Sequence, residues 1–125
     1  MLRVVAEPIA KSISAQAKKL GSGVNLYSTY DEELDDDYHI SIGEKAIELD
    51  PSLVYVALVS KGAGMRVIVF AGEAARKKAK AGTIAKQISA KLGGSGGGDD
   101  RFGQGGGRLK DMIKEALLLA EEAVK

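Results

Sequence analysis

Nine of the fifteen residues from Gly93 to Gly107 are glycine. No other feature restricts the fold as strongly, since a stretch without side chains contributes almost nothing to a core and loses the most backbone freedom on ordering. Gly/Ser tracts are commonly flexible linkers. Two features argue against a linker here. The segment lies between two amphipathic helical stretches, and it carries Asp99, Asp100, Arg101, Phe102 and Gln104 among its glycines. The reading is therefore a functional loop over 93–107, whose bare backbone N–H groups approach a bulky anionic or flat ligand. A helix starting directly after it would add its positive end. The spacing matches neither GxxxxGK[ST] nor a strand-turn GxGxxG, which disfavours nucleotide hydrolysis and dinucleotide binding.

The rest of the chain supplies one core. It has 125 residues, 45% of them apolar, which suits a single domain. With no cysteine and one histidine, disulfides, thiolate metal sites, a cysteine nucleophile and a His–His metal pair are excluded. No apolar run approaches bilayer length, and Glu7 and Pro8 interrupt the N-terminal stretch too early for a signal peptide, so the expected location is cytoplasmic.

Periodicity gives the elements. Leu2, Val5, Ile9, Ile13, Ala17 and Leu20 form one helical stripe, ended by Gly21 and Gly23. Val24–Tyr30 alternates as a strand. Six acids in the seven positions 31–37 precede a helix whose stripe is Tyr38, Ile42, Ala46 and Leu49, and they suit its positive end better than a metal. Leu53–Ser60 and Met65–Phe70 read as a hairpin through the Lys61–Gly64 turn. Residues 73–81 form a short helix or charged loop. Thr83 is expected to cap a third helix, with Ile84, Ile88 and Leu92 as its stripe. A last helix presents Leu109, Met112, Ile113, Ala116, Leu117, Ala120 and Val124. The fold class is α/β (α+β), a small mixed sheet packed by helices and preceded by a helical extension over 1–23.

Charge is uneven. Residues 1–62 carry 6 bases and 10 acids, and residues 63–125 carry 12 and 7. Residues 74–98 hold Arg76, Lys77, Lys78, Lys80, Lys86 and Lys91 with no acid, a local field suited to phosphate or simply a solvated helix face.

The run Leu92-Gly93-Gly94, Gly96-Gly97-Gly98 and Gln104-x-Gly106-Gly107 resembles the C-terminal domain of alanyl-tRNA synthetases, a member of the DHH-associated domain family. Asp99-Asp100-Arg101 stands where many bacterial members read Arg-Pro-Asp, and looks like the archaeal branch. The resemblance covers about residues 24–125. It implies a globular domain over 24–125, joined through residues 1–23 to a larger enzyme. It implies binding to the outer corner of tRNA(Ala), where the D and T loops meet, and a homodimer, in support of aminoacylation and editing. It implies no cofactor in this part of the chain, with ATP and metal confined to the parent enzyme.

On that resemblance the RNA-binding residues are Lys77, Lys78, Lys80, Lys86, Lys91, Arg101, Gly94, Gly96, Gly97, Gly98, Phe102, Gln104, Gly106 and Gly107. The cations would neutralise phosphates. Phe102 either stacks on an exposed base or plugs the core beneath the loop. No catalytic residue and no metal ligand is assigned, and His39 receives no role. Two alternatives remain open. One is the nucleic-acid-binding appendage of a DHH-type phosphoesterase, in which the glycine loop leads into a histidine that this chain lacks there. The other is a pure dimerisation domain, its helices pairing through Ala17, Ala116 and Ala120.

Overall fold

The computed structural model describes residues 2–20 and 23–124, with side chains from residue 8 onward. The side chains of the expected stripe residues Leu2 and Val5, and the expected stop at Gly21, fall outside what it describes. Helix α1 (Leu2–Gln16) leads into the two-residue strand β1 (Lys18–Lys19). Strand β2 (Asn25–Asp31), helix α2 (Asp36–Leu49) and strand β3 (Leu53–Lys61) form a parallel crossover, and β4 (Gly64–Ala71) returns antiparallel to β3. A single 3-10 turn (Ala75–Lys77) precedes helix α3 (Ala81–Lys91). Strands β5 (Ser95–Gly98) and β6 (Phe102–Gly107) follow, and a second 3-10 turn (Lys110–Met112) leads into α4 (Ile113–Val124). The six strands make one mixed sheet in the order β1-β2-β3-β4-β6-β5.

Both faces of the central strands are buried, as the unbroken apolar run of β3 requires. On one face Val54, Val56, Leu58, Val67 and Val69 pack under α3 and α4. On the other, Leu53, Tyr55, Ala57, Ile68 and Phe70 pack under α1 and α2. Ala10, Ile13 and Ala17 are buried there, so the N-terminal helix is part of the domain. Asp50 fastens it, because its carboxylate accepts from Ser14 Oγ at 2.9 Å and from Asn25 Nδ2 at 3.0 Å.

Several expectations need correction. The first helix stops at Gln16, short of Gly21 and Gly23, because Lys18 and Lys19 pair with Leu26 and Asn25, and Leu20 crosses to the opposite face of the sheet. Helix α3 starts at Ala81 behind Lys80, leaving Thr83 exposed inside the helix instead of capping it. Leu49 and Leu109 are exposed, while His39 and Ile47 are buried on α2 in Leu49's place. The alanines suggested for helix pairing serve this chain's own core, Ala116 and Ala120 being fully buried and Ala17 nearly so.

The acidic run behaves as an N-terminal signal. Asp35 is the N-cap of α2 and accepts from the Tyr38 N–H at 3.0 Å, with Asp36 and Asp37 in the first turn.

Candidate nucleic-acid interface

The largest correction concerns residues 93–107, which form a β-hairpin and no loop. β6 pairs with β4 from Phe102–Phe70 to Gly107–Met65, and β5 pairs with β6 from Gly98–Gly103 to Ser95–Gly106. Glycine is a poor strand residue by itself, so packing must hold it extended. The alternation of the strands supplies the reason. Gly96, Gly103, Gly105 and Gly107 face α3, and added Cβ atoms would lie 2.6 Å from Ser89 Oγ, 2.6 Å from the Ala81 carbonyl, 2.1 Å from Ser89 Oγ and 2.5 Å from Leu92 Cβ respectively. Gly82 of the helix lies against Gly98 in the same way, at 2.6 Å. Helix and hairpin thus meet backbone to backbone. Gly93, with φ +80°, ends α3 in the left-handed region and turns the chain into β5.

The hairpin's turn is tied to the same helix. The Gly82 N–H donates to the Asp99 carbonyl at 2.7 Å and the Ala81 N–H to the Asp100 carbonyl at 3.0 Å, so the start of α3 is occupied by the protein's own backbone. The Asp99 carboxylate accepts from the Phe102 and Arg101 N–H groups at 2.8 and 2.9 Å, and these bonds hold it below the usual carboxylate range. Helix α4 begins at Ile113, after a 3-10 turn, so its positive end does not adjoin the hairpin.

The opposite face of the hairpin is open. Gly97 would find nothing within 4 Å of an added Cβ, and Gln104 is exposed. Helices α1 and α2 pack over β2, β3 and β4 on this side. Strand register places Ser95, Gly106 and Arg66 in one cross-strand row and Gly97, Gln104 and Ile68 in the next. A groove of about 790 Å³ runs along this edge, and Lys61, Arg66, Ser95, Gln104 and Arg108 contribute its polar side chains. Arg66 Nη2 lies 3.4 Å from Gln104 Oε1 and its Nε 3.8 Å from Asp36 Oδ2. Lys61 Nζ donates to Asp36 Oδ1 at 3.1 Å, a bond that draws the Asp36 carboxyl below its ordinary value. Lys110 reaches Ser60 Oγ at 3.2 Å beside this groove's hairpin turn.

The residues named from sequence therefore separate. Gly97, Gln104 and Gly106 lie on the open face, although a Cβ at Gly106 would sit 2.7 Å from the Met65 carbonyl. Gly96 and Gly107 face α3, Gly94 abuts the Gly106 carbonyl, and Gly98, with φ +149°, abuts the Phe102 carbonyl. Phe102 is half-buried with its ring 4.7 Å from that of Phe70, which places it as the plug beneath the hairpin's end. Lys77 closes the 3-10 turn and Lys78 and Lys80 follow it, with Lys80 paired to Asp100 at 3.0 Å, and Lys86 and Lys91 are exposed on α3, across the sheet from the open face. Lys61, Arg66 and Arg108 escaped sequence reasoning. Only Arg66 left a signal there, as the single charge in the apolar strand Met65–Phe70. His39 is buried, with Nδ1 2.7 Å from the Tyr55 hydroxyl and Nε2 2.8 Å from Asp31 Oδ2, a structural link between α2, β2 and β3.

The structure is thus a mixed-sheet α/β domain whose glycine-rich hairpin is bordered by the cations Lys61, Arg66 and Arg108. The DHHA1 domain family matches residues 26–125, and the chain belongs to that family. It is 32% identical over 97% of its length to the alanine–tRNA ligase of Nitrosopumilus maritimus, and 40% identical over 69% of its length to that of Cenarchaeum symbiosum. It spans 13% and 9% of those two relatives. The C-Ala domain of Aquifex aeolicus alanyl-tRNA synthetase has the same fold, with a TM-score of 0.79 at 21% identity, covering 87% of this chain and 97% of that one. The likeness to alanyl-tRNA synthetases expected from the glycine motifs and the mixed α/β fold expected from the order of the elements are both borne out. Among the described residues, no helix is long and apolar enough to cross a membrane.

Proposed function

We propose that this domain is the tRNA-binding C-terminal part of an alanine–tRNA ligase. It holds folded tRNA(Ala) by the outer corner, where the D and T loops meet, so that the aminoacylation and editing regions of the parent enzyme act on one molecule. Alanine activation, with its ATP and metal, belongs to that parent, which works in the cytoplasm. The observation that carries the reading is the open hairpin face, where Gly97 leaves the backbone bare and Lys61, Arg66 and Arg108 stand at its edge. Folded RNA is read largely by shape, stacking and 2′-hydroxyls, and a face with open backbone at Gly97 beside the polar side chains of Ser95 and Gln104 allows that close approach. The cations supply the salt-dependent share of affinity. Lys77, Lys78, Lys80, Lys86 and Lys91 extend the positive field beyond the groove. A homodimer of the parent would use surfaces other than Ala17, Ala116 and Ala120, which the core consumes. The phosphoesterase alternative gains nothing from His39, which is buried and bonded on α2.

The test is a salt-titrated binding assay with folded tRNA(Ala), beside a transcript lacking the D-loop–T-loop contact. The domain is expected to bind the intact tRNA with affinity that falls as salt rises, and to bind the truncated form at least tenfold more weakly. Replacing Arg66 and Arg108 by Met should each lower the logarithmic salt slope by roughly 0.7–0.9 for every phosphate that is no longer neutralised. Equal binding of the two transcripts would refute the corner contact, and unchanged binding by both variants would refute the groove as the interface.

A further inference from the structure

A second cleft opens at the other end of the same sheet face. It encloses about 270 Å³ and is lined by Ile47, Glu48, Pro51, Glu73, Arg76 and Arg101. Ile47 belongs to the core under α2, and Phe102 packs against that core, so the cleft lies on the side of the sheet that bears Gln104 and Gly97. The lysine-rich readings of the sequence do not include Arg76 among the binding residues, yet its environment is the more unusual. It is half-buried, its Nε is buried without any hydrogen-bond partner, and its Nη2 reaches only the Ala71 carbonyl at 3.4 Å. Glu48 and Glu73 share the cleft, but among the described residues no carboxylate pairs with Arg76. A guanidinium always carries its charge and five N–H donors, so one taken partly out of water with a single long hydrogen bond has bonding capacity left for a ligand. Arg101 stands on the same cleft. Its guanidinium lies 5.9 Å from the Phe70 ring centre, and its Nη2 is 3.5 Å from Glu44 Oε2. That ion pair joins two exposed groups at long range, the kind of surface contact a better acceptor displaces.

We infer that Arg76 and Arg101 form a phosphate site. Resting on the RNA-binding reading above, the phosphate is one of the RNA backbone where the strand leaves the glycine face. Two forked guanidinium groups on one small cleft match the several oxygens of a single phosphate. Strand β6 runs the six residues Phe102–Gly107 between this cleft and the Arg66–Arg108 groove, roughly 17 Å at the antiparallel rise. An RNA strand laid along the open face therefore meets guanidinium groups at both ends. Glu48 and Glu73 line the cleft, and Glu44 and Asp99 lie near its arginines, so the cleft has no positive excess; binding depends on hydrogen-bond geometry more than on field, and a lysine cannot replace either arginine.

The experiment uses the whole 125-residue domain, folded tRNA(Ala) and inorganic phosphate. Arg76→Met and Arg101→Met should each weaken tRNA binding about tenfold or more, the effect of losing charge-assisted hydrogen bonds, with urea midpoints unmoved. Arg76→Lys should fail to restore affinity, and it keeps the test decisive if Arg76→Met unfolds. If wild type binds tRNA and the variants bind equally well, the site is overturned while the RNA reading stands on Arg66 and Arg108. If Arg76→Lys binds like wild type, the fork argument is overturned. If wild type binds no tRNA, the RNA reading fails, and the arginine Nε–H resonances decide the rest. A shift of the Arg76 signal with sodium phosphate but not with sodium chloride at equal ionic strength, abolished by Arg101→Met, would assign the cleft to free phosphate. No shift would overturn the phosphate site altogether.

Discussion

The hairpin's two faces make opposite demands on glycine, and a pair of substitutions separates them. Gly105 faces α3. An added Cβ would sit 2.1 Å from Ser89 Oγ, 2.7 Å from Gly96 Cα and 2.8 Å from the Ser95 carbonyl. The serine hydroxyl can rotate, but the two backbone atoms cannot move without parting β5 from β6 or lifting α3. Gly105→Ala is thus an overpacking change of the kind that costs about 1–3 kcal/mol. For a chain of this size that is a fall of roughly 4 °C in Tm per kcal/mol. Gly97→Val is the contrast. No atom lies within 4 Å of the new Cβ, and the backbone there is outside the left-handed region. Valine prefers extended backbone and restricts the unfolded chain, so the variant should match wild type within about 0.5 kcal/mol or exceed it slightly. It would nevertheless raise a branched side chain in the centre of the open face, and tRNA affinity should fall at least about tenfold, or 1.4 kcal/mol. Urea unfolding followed by far-UV circular dichroism gives stability, and the salt-titrated tRNA assay gives binding. If Gly105→Ala unfolds at the wild-type midpoint, α3 does not rest on the hairpin backbone. If Gly97→Val is the more destabilised of the two, the faces have been assigned the wrong way round.

Two further predictions concern the polar ties of the fold. His39→Phe removes the partner of both the buried Tyr55 hydroxyl and an Asp31 oxygen. It should lower stability by about 1–3 kcal/mol in urea titrations, and a loss under 0.5 kcal/mol would show that the hydroxyl finds another acceptor. Acid should weaken the domain through Asp36, whose carboxyl the Lys61 ammonium draws below its ordinary 3.8 against the opposing effect of burial. The folded state then holds fewer protons than the unfolded state, so this contribution is complete above pH 3.8 and is lost as pH falls below it. The stability gap between wild type and Asp36→Asn should accordingly narrow below that pH, and a constant gap would refute the linkage.

Much of the layered α/β frame was legible because its signals are periodic. The apolar run at Leu53–Ser60, the turn at Lys61–Gly64 and the Ile84–Ile88–Leu92 stripe each fix an element locally. The hairpin was missed because glycine's intrinsic preference opposes strand, and what overrides it is tertiary: α3 docks on one face, and β4 pairs along β6. The groove cations were missed for a related reason. Lys61 and Arg66 flank one turn, but Arg108 comes from far along the chain, and only the pairing of β4 with β6 brings it beside them. The tract from Arg76 to Lys91 was conspicuous in sequence because it is contiguous, yet contiguity around a helix sends its side chains in several directions.

An isolated glycine hairpin would not keep a flat face, since two strands without side chains have almost nothing to bury. Here the α3 face supplies the missing rigidity. Because Gly96, Gly103, Gly105 and Gly107 let the helix touch backbone, the hairpin is fixed from behind, and its front needs no side chains to stay in place. One residue type at alternate positions therefore does two different things. Behind, glycine allows close packing that orders the strands. In front, at Gly97, it leaves the peptide open between the side chains of Ser95 and Gln104. The length of the hairpin is fixed on both sides by the same helix: Gly82 bonds the Asp99 carbonyl at its turn, and the Leu92 carbonyl accepts from the Arg108 N–H at 3.0 Å at its far end. Arg101 and Arg108 thus flank β6 at a separation set by the length of α3. A substitution that loosens α3, such as Gly105→Ala, should then cost RNA affinity even though it touches neither arginine. That loss should track the fall in stability, whereas the loss from Gly97→Val should not.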